Sequence, residues 1–190
     1  MKTTRLEAFS DGVLAIIITI MVLELKPPHD PTLGALANLW PTFFAYALSF
    51  VMVAIYWVNH HHLIHLVTDV NAVVLWANIN LLFWLSLFPW ATAYMGQNHM
   101  LPFPVALYAA VAVLAAVAFS ILRAVIMRQN DGPKFATIGK LMWKKNVSAI
   151  AIYSGAVLAA FFYVPLALVL IALPAAMYFF PEKRIEKAVK

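Results

Sequence analysis

Six histidines occur in this chain, and four of them, His60, His61, His62 and His65, crowd together. Imidazole nitrogens bind transition metals, relay protons and change charge near neutral pH. His61 and His65 are spaced i, i+4, so on a helix they share a face, as zinc-binding pairs do. No acid stands between them in a His-Glu-x-x-His arrangement, and the chain has no cysteine. The spacing therefore favours interfacial or hydrogen-bonding histidines over a metal centre, and no metal or other cofactor is expected. Trp57 and His61 share the same i, i+4 spacing. An indole N–H and an imidazole on one face suit a clasp between this helix and another.

A second group stands at the start of the chain: Arg5, Glu7, Ser10 and Asp11, before an apolar run over 13–25 broken only by Thr19 and Glu24. Glu7 is explained by the favourable placement of acids near a helix N-terminus. Asp11 directly abuts the apolar run, where an unpaired carboxylate is costly. It requires a partner, such as Arg5 or an indole or imidazole from another helix, and structural and functional roles are equally open. Ile16, Ile20 and Leu23 fall at i, i+4, i+7 on one face, with Thr19 at its edge. Repeated around a symmetric oligomer, such residues form stacked apolar rings that gate ions by dewetting. Packing against lipid or a core explains the same spacing, and spacing alone favours that simpler account. Glu24 suits a solvated rim or, in an oligomer, an acidic ring at a pore mouth. No catalytic triad, phosphate loop or nucleotide fingerprint is present, so covalent catalysis is not expected. The Thr-Val-Gly-Tyr-Gly potassium filter is also absent.

The elements that position these residues are membrane helices. Of 190 residues, 64% are hydrophobic and 11% charged. A soluble domain has roughly 45–50% apolar and about 25% charged residues. Several runs approach the ~20 residues that cross a bilayer, and the ~10-residue alternation of barrel strands is missing. The net charge of +5 is better explained by topology than by nucleic acid, and none is expected as a partner.

The pattern predicts a first helix over 5–25, ended by Pro27 and Pro28 and retained rather than cleaved as a signal peptide. A second spans 35–66 and closes in the histidine patch, with Asp69 as N-cap or near-cap of the third helix. That third helix covers 71–95, kinked at Pro89. A fourth covers 104–128, rich in Ala and Val and so able to pack closely. A loop over 129–143 carries the Asn-Asp-Gly-Pro turn signal and a basic run. Two helices share 147–180, folding back around 163–165. Asn78, Asn80 and Ser86 are candidates for interhelical hydrogen bonds. Trp40, Trp90, Tyr94 and Trp143 suit interfacial belts.

Six helices bring Lys2, Arg5, Arg123, Arg128, Lys134, Lys140, Lys144, Lys145, Lys183, Arg184, Lys187 and Lys190 to one side and Lys26 to the other. The positive-inside rule then puts both termini in the cytoplasm. The fold class is an all-α integral membrane protein, one six-helix transmembrane domain over 1–190.

The string Arg5-x-x-x-Phe9-Ser10-Asp11-Gly12, opening a first membrane helix, resembles the signature of the transmembrane protein 175 family, endosomal and lysosomal potassium channels with single-repeat bacterial relatives. The Trp57-x-x-x-His61 spacing and the Asn-rich third helix ending near Pro89 are similar to that family too. The resemblance implies a homotetramer of six-helix subunits, with the first helix of each lining a central pore. Ile16 would be the main constriction, Ile20 and Leu23 further apolar rings, and Thr19 a hydroxyl bearing on selectivity. Arg5, Phe9, Ser10 and Asp11 would hold the cytoplasmic end of the pore helix, supported by Trp57 and His61. Ala15 stands where the family often has a serine that bonds to this Trp and His, so that three-way network cannot form in the same way here.

The resulting expectation is a passive, potassium-preferring cation channel in the plasma membrane of a prokaryote. Its partners would be the lipid bilayer, potassium ions and three further copies of the chain. The alternatives are a proton pathway or proton-coupled transporter using Asp11 and His61, an intramembrane metalloenzyme built on the four clustered histidines, and a structural membrane protein without transport.

Overall fold

A computed structural model describes residues 3–130 and 133–179. Among them are eight helices and no strand: α1 (Thr3–Leu23), α2 (Leu33–Ala37), α3 (Trp40–Ile64), α4 (Ala72–Ser86), α5 (Phe88–Gln97), α6 (Pro102–Met127), α7 (Pro133–Ala159) and α8 (Val164–Phe179). Four segments are long and apolar enough to cross a membrane: Thr3–Leu23, Trp40–Ile64, Ala72–Gln97 and Pro102–Met127. Val164–Tyr178 is apolar but shorter. The chain is an all-helical membrane protein.

Proline sets most of the boundaries. Its ring clashes with the carbonyl four residues earlier, so it belongs in a first helical turn. Pro41 and Pro89 open α3 and α5 in this way. The helix expected over 35–66 is therefore two pieces, α2 and α3, separated at Asn38 and Leu39. The bend expected at Pro89 is a break at Leu87 between α4 and α5.

The loop expected over 129–143 is a different matter. Pro133 opens α7, which runs on for 27 residues, or ~40 Å at 1.5 Å per residue. A proline that reads as a turn signal equally well presets the first turn of a helix. Arg123 belongs to α6 and is buried there, 4% exposed. Its Nη1 donates to the Gly139 carbonyl at 3.0 Å, and its guanidinium lies 5.6 Å from the Trp143 ring. The turn between α7 and α8 falls at residues 160–163, overlapping the fold-back expected around 163–165 only at Tyr163, and Pro165 lies in the first turn of α8. Lys2, the side chains of Lys134 and Lys140, and the tail from 182 to 190 with its four cations lie outside the described residues.

Asp69 does not cap the third span. Asn71 does: its Oδ1 accepts from the N–H groups of Val73 and Val74, both at 3.1 Å. Asp69 is instead tied through its backbone to Gln129, whose Nε2 donates to the Asp69 carbonyl at 2.9 Å.

The core is a bundle in which α6 packs on α4 and α7, and α3 on α5. Ala106, Ala109, Ala112, Ala115 and Ala116 are all buried on α6, and small side chains let backbones approach closely. Gly96 serves the same end on α5. A Cβ there would stand 2.8 Å from the Thr42 Cα of α3.

Candidate functional site

α1 has two faces with different neighbours. Leu6, Ser10, Leu14, Ile17 and Met21 are buried, at steps of three and four residues that keep them on the side toward the bundle. The opposite side carries Phe9, Ile16, Ile20 and Leu23, exposed by 58, 58, 42 and 72%. Thr19 is exposed beside them and donates its hydroxyl hydrogen to the Ile16 carbonyl at 2.9 Å. Its oxygen lone pairs remain available.

Two of them, Ile16 and Ile20, border an open groove of about 580 Å³ between α1 and α5, where they face Trp90, Tyr94 and Gln97. Glu24 closes one end, accepting from Gln97 Nε2 at 3.3 Å. The structure thus separates Ile16, Ile20 and Leu23 from the subunit's own core.

The N-terminal end of α1 is polar, and three of its side chains are tied to other helices. Asp11 Oδ1 accepts from the Trp57 indole N–H at 2.9 Å. Glu7 Oε1 lies 3.0 Å from His61 Nδ1. Glu7 and Asp11 are spaced i, i+4 on α1, Trp57 and His61 are spaced i, i+4 on α3, and the pairs match in reverse order. That is the register of two antiparallel helices. The Glu7–His61 pair is partly exposed, 23% and 43% by side chain, so solvent screening holds its contribution to about 1 kcal/mol or less.

Below this pair of contacts is a buried one. Ser10 donates to the Leu6 carbonyl at 2.9 Å and accepts from Asn78 Nδ2 at 3.0 Å. With the Asn78 amide nitrogen so engaged, its Oδ1 faces His60 Nε2 at 2.7 Å. That ring nitrogen therefore carries the hydrogen. His60 Nδ1 is buried and has no hydrogen-bond partner among the described residues. Ser10, Asn78 and His60 join α1, α4 and α3 in one directed chain, each oriented by the next.

The partner required for Asp11 is thus the indole. Arg5 is exposed and makes no ion pair among the described residues. Phe9 points away from the bundle. Ala15 is exposed and offers no hydroxyl; the indole and imidazole bind Asp11 and Glu7 instead. Of the three interhelical candidates, Asn78 bonds across helices. Ser86 donates to the Phe83 carbonyl of its own helix at 2.7 Å, and Asn80 makes no interhelical bond among the described residues.

Two features were not found from the sequence. Glu7 already had an explanation in the helix dipole, and nothing local signals a partner 54 positions away. A second buried cluster joins α3, α5 and α6. Thr92 Oγ1 lies 2.6 Å from Ser49 Oγ, and Ser49 Oγ lies 2.9 Å from the Tyr108 hydroxyl. Isolated hydroxyls in apolar helices carry no spacing signal.

His61 also meets His65. Their Nε2 atoms are 3.1 Å apart, and His65 Nε2 is 3.9 Å from Glu7 Oε1. Glu7, His61 and His65 each bring a potential ligand atom within 4.8 Å of the other two.

Known proteins are similar to this chain in sequence and in fold. The family described as "Endosomal/lysosomal potassium channel TMEM175" matches residues 5–89, which contain every residue of the polar end. A potassium channel of Chryseobacterium sp. (strain P1-3) is 46% identical over 191 residues, covering 100% of this chain and 99% of that protein. The endosomal/lysosomal proton channel TMEM175 of Gallus gallus is 34% identical over 87 residues, 40% of this chain and 17% of that protein. The crystal structure of a lysosomal potassium-selective channel TMEM175 homolog from Chamaesiphon minutus superposes with a TM-score of 0.81 at 28% identity, covering 93% of this chain and 96% of that one.

Proposed function

The chain belongs to the TMEM175 family, and from that premise we propose that it is the subunit of a passive, potassium-preferring cation channel. The observation that carries the reading is the outward face of α1: Ile16, Ile20 and Leu23, large, apolar and exposed in their own subunit. In a homotetramer, four copies of that face surround an axis. The six spans are α1, α3, α4 with α5, α6, α7 and α8, forming one domain over 1–190 with both termini in the cytoplasm. The membrane is the plasma membrane of a prokaryote.

Conduction in this reading needs no cofactor and makes or breaks no covalent bond. Ile16 forms the narrowest ring, and Ile20 and Leu23 form further rings that must be wetted before an ion passes. Thr19 turns oxygen lone pairs outward, because its hydrogen is engaged with the Ile16 carbonyl. Such oxygens favour cations over anions. Apolar rings replace little of an ion's hydration shell, so discrimination follows hydration cost and is modest. Glu24 at the outer mouth concentrates cations. Ser10 and Asp11, with Trp57 and His61, hold the cytoplasmic end of the pore helix, while Arg5 and Phe9 face neighbouring subunits.

A second reading, a proton path, is favoured by one observation. Glu7, His61 and His65 form a continuous chain of hydrogen-bonding groups beside Asp11.

Flux through purified protein in liposomes separates the two, under a potassium gradient and then a sodium gradient, with empty liposomes as control. Potassium flux above sodium flux, with the ratio lowered by Ile16→Asn, supports the channel and its pore helix together. An unchanged ratio sinks the role of Ile16. Internal pH change without cation flux moves the function to the proton path through Asp11 and His61.

A further inference from the structure

The sequence argued against a metal because no acid lies between the histidines of α3. The fold supplies one from another helix. We propose that Glu7, His61 and His65 form a binding site for a divalent transition-metal ion of zinc's class, held by Nε2 of the two histidines and backed by the Glu7 carboxylate.

Two imidazole nitrogens at ~2.0–2.1 Å from a tetrahedral ion stand about 3.3 Å apart. The Nε2 atoms of His61 and His65 are 3.1 Å apart before any ion is added. Their i, i+4 spacing at the end of α3 holds them there. The tautomer is also set. Glu7 accepts the Nδ1–H of His61 at 3.0 Å, which leaves the Nε2 lone pair of His61 free to ligate. A carboxylate on the far nitrogen of a ligating histidine is the usual second partner in metal sites, fixing the ring and raising its basicity.

In the metal-free arrangement His65 Nε2–H donates to His61 Nε2. An ion takes the place of that hydrogen, with His65 carrying its proton on Nδ1 instead. Water completes the shell, because the Glu7 Oε1 that lies 3.9 Å from His65 Nε2 is already the acceptor of the His61 Nδ1–H. The side chains of His61 and His65 are 43% and 52% exposed, so an ion reaches them without opening the core. Nitrogen donors with one carboxylate select zinc, nickel or copper over magnesium and calcium, which take oxygen. Bound there, the ion would staple the N-terminal end of α1 to α3.

The test is calorimetric titration of Zn²⁺ into the full chain, free of any histidine tag, in lipid nanodiscs, with empty nanodiscs and Mg²⁺ as controls. The expected result is saturable zinc binding at one ion per subunit and none of magnesium. His65→Ala is expected to weaken it at least tenfold. Glu7→Gln keeps a hydrogen-bond acceptor but loses the charge, and is expected to weaken it about 10- to 100-fold. His62→Ala is expected to bind as the parent does. No zinc binding above empty nanodiscs, parent-like binding by both His65→Ala and Glu7→Gln, or equal loss in His62→Ala overturns the proposal. If His65→Ala fails to fold, Glu7→Gln decides.

Discussion

The two ends of α1 meet their surroundings in opposite ways. Over residues 7–11 the polar side chains of Glu7, Ser10 and Asp11 have specific partners on α3 or α4, at 3.0, 3.0 and 2.9 Å. Over residues 16–23 the side chains Ile16, Ile20 and Leu23 stand outside the bundle, and the polar one among them, Thr19, bonds to its own helix. One end is completed within the subunit. The other is complete only in the company of something else. Changes at the first end should therefore register as lost stability, and changes at the second as altered function with the fold intact.

The largest stability effect is expected for Asn78→Ala. It strips the partner from His60 Nε2 and one from Ser10, all three residues being buried. Orphaned buried polar groups cost about 1–3 kcal/mol each, so a loss of roughly 3 kcal/mol is expected, read from thermal unfolding in detergent. A parent-like midpoint would show that the buried chain contributes nothing. Gly96→Ala comes next, at about 1–3 kcal/mol for forced overpacking, because the added methyl meets backbone of α3 that cannot rotate away. Trp57→Phe removes the donor to Asp11 but leaves that partly exposed carboxylate access to water. A loss of about 1 kcal/mol is expected, measured the same way. Ile16→Asn should move subunit stability by less than about 0.5 kcal/mol while changing the potassium-to-sodium flux ratio. A large unfolding shift in that variant, with an unchanged ratio, would erase the contrast between the two ends.

The sequence made the punctuation of the fold legible. Pro27 and Pro28 after α1, Pro89 in the first turn of α5, and the turn before α8 are local steric events, and local residues announce them. The same residue type misled at Pro133, because a turn and the first turn of a helix ask the same φ of proline. Pairings across helices were legible only where isolation in an apolar run made a partner obligatory. Asp11 had to find a donor, and an indole was among the groups considered. Glu7 lay in a plausible place for an acid and raised no such demand, so its contact with His61 went unseen. Ala15 looked like a missing connection. With the structure in view, the indole and imidazole have other acceptors one and two turns nearer the N-terminus.

The contacts of Glu7, Ser10 and Asp11 act on α1 as splines act on a shaft. An α-helix turns about 100° per residue, so sliding α1 by one position would swing all three side chains away from His61, Asn78 and Trp57 together. Sliding by a full turn would restore the angle but shift every pair by ~5.4 Å. Neither is compatible with bonds near 3 Å. The azimuth of the far end is thereby decided at the near end. Ile16, Ile20 and Leu23 look outward together because three polar teeth, roughly one to four turns away, allow the helix only one angle.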